Sequence, residues 1–364
     1  MSQTPDASSV ALPDLRSFTA EELKEQMLAL QQPAYRAGQL FTQLHRGVQP
    51  EEMTNLGRAL LALLREHYRW PLPQIEKKLV SSLDGTVKYL FSLEDGACIE
   101  SVVMQYEHGL TICISSQVGC RMGCRFCAST IGGKVRDLNA SELLGQVLAA
   151  QKDLGRRIGN IVLMGIGEPL DNYDNVLRFL KLVSHPDGLN IGLRRISLST
   201  CGIVPRILDL AREDLPITLS ISLHAMDNAT RDELMPVNRK YPVETLLDAC
   251  KTYFETTNRR ISFEYTLIAG KNDSPEQAEQ LARLLNRHLR TRTQTMPIHV
   301  NLIPVNEVEE TGFRHTGAAG VRRFAEVLEK NGIRATVRRK LGADINASCG
   351  QLRRAYNREK ETLS

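Results

Sequence analysis

From about residue 110 onward, short stretches rich in Ile, Leu, Val or Thr recur at 111–116, 160–165, 195–200, 217–223, 261–268 and 298–304. Between them lie amphipathic segments, among them 140–153, 172–183, 243–256, 275–289 and 317–331. Strands that alternate with helices run parallel and need right-handed crossovers. Six such units over about 230 residues predict an α/β chain built on an open, partial (β/α)6 barrel. A doubly wound sheet is the alternative.

The region before the barrel has two patterns. Residues 14–70 read as helices. Thr19 and Glu22 have capping-box spacing, with Leu23, Met27 and Leu30 following at helical spacing. Pro33 ends that helix; a second is expected over 34–44 and a third over 56–67. Residues 75–107 read as antiparallel hairpins, with turn signals at Asp84-Gly85 and Asp95-Gly96. The expected organisation is an N-terminal helical accessory domain (1–74), a small β extension or linker (75–109), the barrel (110–340), and a C-terminal loop with a basic tail (341–364).

Composition narrows the class. Hydrophobic residues make up 42% and charged residues 24% of 364, as in globular proteins. That excludes a collagen, a disordered tail protein and a disulfide-stapled peptide. No apolar run reaches the ~18 residues of a membrane span. The start, MSQTPDASS, lacks a basic segment followed by an apolar one, so it does not read as a secretory signal and the cytosol is the expected compartment. Net charge is +4, but residues 320–364 carry eleven Lys/Arg against five Asp/Glu. A basic C-terminal end suits a polyanionic partner, although a solvated helix and tail would carry the same charge.

Three of the eight cysteines fall within eight residues: Cys120, Cys124 and Cys127, spaced C-x3-C-x2-C. A structural zinc site takes four protein ligands, usually in Cys or Cys/His pairs, and no fourth stands nearby. Three thiolates can hold a [4Fe–4S] cluster with one iron left open. That iron can chelate the amino and carboxylate groups of S-adenosylmethionine (SAM), whose cleavage releases a 5′-deoxyadenosyl radical. Phe126, just before the third cysteine, fits this radical SAM motif.

The motif follows the first barrel strand, and parallel βα barrels carry their sites at the C-terminal ends of the strands. The other strand ends are polar too. The second ends in Gly165-Ile-Gly167-Glu168-Pro169, where Glu168 is placed to accept from the SAM ammonium. The third ends in Ser199-Thr200, the fourth in Ser222-Leu223-His224, and Asn306 follows the sixth. Gly167, Glu168, Ser199, Ser222, Leu223, His224 and Asn306 are the candidate cofactor-binding residues.

The phrases C-R-M-G-C-R-F-C-A-S-T, M-G-I-G-E-P-L-D-N, I-S-L-S-T-C-G-I-V-P, S-L-H-A and D-I-N-A-S-C-G-Q-L together resemble the RlmN family. These are radical SAM RNA methyltransferases that act on adenosine C2. The likeness runs from about residue 14 to 356 and includes P-A-Y-R-A-G-Q-L-F in the N-terminal helices. The related Cfr enzymes, which methylate C8, usually have Ala after Gly-Glu, whereas this chain has Pro169. Asp137 stands where the family often has Asn, and Cys201 where many members have Ser.

The resemblance implies a partial radical SAM barrel and a substrate of 23S rRNA at adenosine 2503 and of certain tRNAs at adenosine 37. It implies two SAM per methyl, an electron donor such as flavodoxin, and a monomer. Cys349 matches the cysteine that is itself methylated, Cys113 its resolving partner, and Glu100 the residue proposed to take the C2 proton. Adenine C2 is an electron-poor aryl carbon that does not attack a sulfonium methyl, whereas a thiolate does. Read without the family, Cys113 and Cys349 would be ordinary thiols and Glu100 a solvated strand glutamate. Cys98 and Cys250 read as structural. Arg194, Arg195, Arg338, Arg339 and Lys340 are candidates for phosphate contacts. The alternatives are C8 methylation and a zinc-stabilised RNA-binding protein without catalysis.

Overall fold

The computed structural model describes residues 12–49, 52–290, 296–306, 312–347, 350–354, 356 and 358. Three helices open the chain: α1 (Ala20–Ala29), α2 (Tyr35–Leu44) and α3 (Arg58–His67). Thr19 and Glu22 form the expected reciprocal cap on α1. The buried sides of these helices, including Leu23, Met27, Leu40, Phe41, Leu44, Leu60 and Leu64, join the main hydrophobic core.

Strands β1 (Gln74–Val80), β2 (Val87–Ser92), β3 (Cys98–Tyr106) and β4 (Gly109–Cys113) pair antiparallel in chain order. β4 is then followed sideways by β7 (Ile158–Leu163), β8 (Ile196–Thr200), β9 (Thr218–Ser222), β10 (Ile261–Leu267), β11 (His299–Pro304) and β12 (Arg334–Val337), all parallel. The ten strands make one open sheet with edges at β1 and β12. The six expected barrel strands are all present, each within a few residues. β12 is a seventh that the sequence reading lacked, because R-A-T-V is short and mostly exposed.

The crossover helices α4 (Ala140–Leu154), α5 (Tyr173–Ser184), α6 (Val204–Arg212), α8 (Val243–Thr257), α9 (Pro275–Leu289) and α10 (Ala318–Lys330) pack on one another as neighbours: α4 on α5, then α6 on α8, α8 on α9 and α9 on α10. That ordering suits a barrel wall rather than a doubly wound sheet. The short α7 (Asn228–Leu234) follows β9 on the rim. A small hairpin, β5 (Gln117–Gly119) with β6 (Lys134–Asp137), brackets the three-cysteine loop. Among the described residues, no helix is long and apolar enough to cross a membrane. The C-terminal segment, expected to be a loop and tail, is helical at residues 351–354.

Candidate active site

The site grows from the C-terminal end of β4. After Cys113 the chain passes Ser115, whose N–H is taken by the buried Gln146 and whose Oγ donates to the Glu100 carbonyl. It then enters β5 and the cysteine loop. Gln117 holds the loop's base from below: its Oε1 accepts the Glu168 N–H at 2.9 Å, and its Nε2 donates to Asp137 and Asp171. Lys134 pairs with both aspartates, and Arg121 with Asp171. Asp137, one of the departures from the family's usual residues, is therefore charge-compensated in place.

Cys120 is buried, while Cys124 and Cys127 are partly exposed. Burial pushes the Cys120 thiol up to about 12, with the nearby Cys127 adding to it. Cys124 is also pushed well up, by desolvation and then by Cys127, Cys120 and Glu168. Three thiols that oppose one another's ionisation in a half-enclosed loop need cationic iron to become thiolates. Among the described residues, no three His, Cys, Asp or Glu converge tightly enough to hold one metal ion. A cubane gives each thiolate its own iron and asks for no such convergence. The donor set thus fits a [4Fe–4S] cluster.

Gly167 lies at φ +107°, and a Cβ there would stand 2.6 Å from Gln117 Cβ. It lets the end of β7 close onto the base of the cysteine loop. Glu168 is 4% exposed, and burial raises its pKa. Its Oε1 accepts the Leu170 N–H and its Oε2 the Cys201 N–H at 2.7 Å, so it joins the ends of β7 and β8. Ser199 and Ser222 bring their hydroxyls to 3.4 Å on adjacent strands, and Leu223 is fully buried behind them. His224 takes a left-handed conformation at φ +57°. Its Nδ1 accepts the Thr266 N–H at 2.9 Å, which leaves Nε2 as the protonated nitrogen. Burial, then Arg231, pulls it down to about 3, so the ring is neutral. Phe126 meets it edge to face at 4.9 Å, beneath the cysteine loop. Asn306, after β11, is exposed.

Cys201 has its thiol pushed well up by burial and by Glu168. It packs with Leu234, Met235 and Ile268, against which Met122, Cys124 and Phe126 lie. Its part is to floor the cysteine loop. Cys250 is buried in α8, and Cys98 packs with Leu90 and Leu352, as structural cysteines do.

Cys349 lies outside the described residues. The neighbours that are described bracket the other two candidates. Ala347 packs on the small cluster of Val102, Met104 and Cys113. Gly350 donates its N–H to Glu100 Oε2 at 2.8 Å. Glu100 is 2% exposed, which overturns the reading of a solvated strand glutamate. Both faces of β3 are covered, one by the core and one by the C-terminal segment.

Arg338, Arg339 and Lys340 follow β12 on the same rim and are exposed. Arg194 and Arg195 precede β8, at the opposite end of the sheet from the cysteines. Two buried cations beside the site escaped the sequence reading. Arg231 stitches the ends of β8 and β9 together, and Lys88 pairs with Glu100 at 3.2 Å. Only their extreme burial marks them, and no local motif announces it.

Residues 114–285 match the family model described as the Radical SAM superfamily. The chain is 50% identical to the probable dual-specificity RNA methyltransferase RlmN of Clostridium novyi (strain NT), over 95% of this chain and 99% of that protein. The relative of the same name from Alkaliphilus metalliredigens (strain QYMF) is 49% identical over 96% and 98%. The chain belongs to the RlmN family. The crystal structure of a radical SAM methyltransferase from Sphaerobacter thermophilus superposes with a TM-score of 0.87 at 41% identity, covering 93% of this chain and 98% of that one. Membership of the radical SAM superfamily implies SAM and a [4Fe–4S] cluster, and it displaces the zinc-stabilised binder as a reading of the three cysteines.

Proposed function

We propose that this chain is a cytosolic RNA methyltransferase that modifies C2 of adenosine 2503 in 23S rRNA and of adenosine 37 in certain tRNAs, using two SAM per methyl. In this reading Cys120, Cys124 and Cys127 hold the cluster. Gly167, Glu168, Ser199, Ser222, Leu223, His224 and Asn306 line the SAM site. Cys349 carries the methyl, Cys113 resolves, and Glu100 takes the C2 proton.

The observation that carries the reading is the bracketing of residues 348–349. Ala347 packs at Cys113 and Gly350 bonds to Glu100, so the segment meets both other candidate groups. RNA as the substrate class is supported by the names of the relatives.

When bound, the cluster and SAM supply a 5′-deoxyadenosyl radical that takes hydrogen from the methylated carrier. The chain's own residues do the rest. The Cys349 thiolate takes a methyl from SAM, which C2 itself is too electron-poor to do. Once the carrier carbon radical has added to C2 and the adduct has returned one electron to the donor chain, Glu100 accepts the displaced proton. The Cys113 thiolate then attacks the Cys349 sulfur; the sulfur–carbon bond breaks as the disulfide forms, the departing carbon takes up a proton to become the methyl, and an external thiol reduces the disulfide afterwards. The base has to be presented outside a regular duplex. Residues 1–74 act as the RNA-holding accessory domain, 75–109 as the extension, 110–340 as the barrel and 341–364 as the carrier segment. The enzyme works as a monomer with a donor such as flavodoxin.

The test is mass analysis of modified nucleosides from rRNA and tRNA of a deletion strain. Loss of 2-methyladenosine is expected. Loss of 8-methyladenosine instead would make the chain a C8 enzyme.

A further inference from the structure

Lys88, on β2, has a side chain only 1% exposed, a rare location for an ammonium. A buried ammonium is costly unless it is paired and hydrogen-bonded. Its ion partner, Glu100, is equally buried. Both charges also reach the C-terminal segment. Lys88 Nζ donates to the Asn346 carbonyl at 2.9 Å. Glu100 Oε2 accepts the Gly350 N–H at 2.8 Å, and its Oε1 accepts the Arg353 N–H at 2.6 Å. The ammonium grips the backbone before residues 348–349, and the carboxylate grips it after them.

Other contacts fix the same segment. Asp344 accepts from Ser81 Oγ and the Ser82 N–H, and Asp84 from the Gly342 N–H. Gly350 sits at φ +83°, where a Cβ would stand 2.9 Å from the Ser129 nitrogen, two residues beyond Cys127. The segment is therefore seated against the end of the cysteine loop, and the buried ion pair is its deepest anchor.

We propose that Lys88 is a positioning residue. It fixes the Glu100 carboxylate and the C-terminal backbone in one register, so that the segment is held at the barrel rim during turnover. The proposal rests on the reading of Cys349 as the methyl carrier. A hydrophobic pair would pack this interior at least as well, but it would not bind a carbonyl and two amides at once.

The test uses the full-length, cluster-loaded enzyme with Lys88→Met, which keeps the stem and removes the ammonium, and with Lys88→Arg. Amide hydrogen exchange reports docking. Exchange at 350–353 is expected to rise about tenfold or more in Lys88→Met while peptides from β8 stay protected, with Lys88→Arg recovering much of the difference. The same preparation is assayed for 5′-deoxyadenosine released per methyl placed on RNA. Lys88→Met should cleave SAM without matching methylation, which a loss of stability alone would not produce. Unchanged exchange at 350–353, or a cleavage-to-methylation ratio equal to that of the wild type, overturns the proposal. If Lys88→Met loosens β8 as well, Gly350→Ala decides. It displaces the segment with the ion pair intact, and tightly coupled turnover there also overturns the proposal. An unmethylated Cys349 in active wild-type enzyme would instead defeat the carrier reading and leave the exchange result standing.

Discussion

The guanidinium of Arg231 donates to the carbonyl of Cys201 at 2.7 Å, across the gap between β8 and β9. The same side chain donates to the carbonyls of Ser222 and Leu223 and to Asn238 Oδ1. One fully buried cation thus sets the relative height of two strand ends that carry candidate SAM contacts.

Replacing Arg231 with Leu would leave these carbonyls buried and unpaired. At about 1–3 kcal/mol for each group that finds no water, the expected loss of stability is roughly 3 kcal/mol or more. SAM affinity should fall with it, because Ser222 and His224 lose their register. Arg231→Lys should recover only part, since an ammonium lacks the planar fork. Denaturant midpoints and SAM binding of the three proteins check this. An unaltered midpoint for Arg231→Leu would contradict it.

Changing Cys120, Cys124 or Cys127 singly to Ala should abolish iron and sulfide uptake after anaerobic reconstitution, and with it SAM cleavage. The fold should survive, because the loop base rests on Gln117, Lys134 and Asp171 rather than on the thiols. An iron-free, zinc-loaded protein with full activity would refute the cluster assignment.

Acid should destabilise the chain from about pH 6.5 downward. His45 and His224 are both buried and both pulled down to about 3. Below about pH 6.5 the unfolded chain protonates these rings and the folded chain does not. Their contribution is therefore full above pH 6.5 and is lost as pH falls toward 3. Each adds a slope of about 1.4 kcal/mol per pH unit, together about 3. Asp14, Glu168 and Glu264 work in the opposite direction, because burial raises them and the folded chain takes their protons first. They offset part of the loss as pH falls, so the decline that starts near pH 6.5 is set by the two histidines less this opposing contribution. His45→Phe, which keeps the stack on Phe41 at 3.9 Å, should remove about half of that slope in denaturant titrations.

Neutralising Arg338, Arg339 and Lys340 together to Gln should weaken RNA binding at low salt and flatten its salt dependence. Each lost phosphate contact lowers the slope of log K against log salt by roughly 0.7–0.9. A triple variant with the wild-type slope would mean that these three exposed cations meet no phosphate.

Local features were legible in the sequence. The Thr19–Glu22 cap, the six strand positions and the cysteine spacing are each written within about a dozen residues. What joins distant segments was not. Lys88 reads as an ordinary polar residue in V-K-Y-L-F-S, and only the C-terminal segment, some 260 residues later, makes it an anchor. Nothing around Glu100 in C-I-E-S-V-V-M-Q-Y shows that a segment 250 residues later buries it.

Cys113 and Cys349 should differ in what their loss traps. In Cys349→Ala there is no methyl acceptor, so neither the protein nor the RNA is methylated. In Cys113→Ala, Cys349 can still be methylated and its carbon can still join adenine C2. The reaction then stalls, because no thiol attacks the carrier sulfur, and a covalent RNA–protein adduct accumulates. Cys113 is 3% exposed at the end of β4, and Ala347 packs on its cluster, so the resolving thiol is shielded from bulk solvent on the side facing the carrier segment. A small external thiol would then replace it poorly. The assay is denaturing electrophoresis of each variant purified from cells, with and without ribonuclease, together with peptide mass analysis around Cys349. A ribonuclease-sensitive upshift is expected for Cys113→Ala alone. If that variant carries no RNA while Cys349→Ala still methylates adenosine, the two-cysteine mechanism does not operate in this protein.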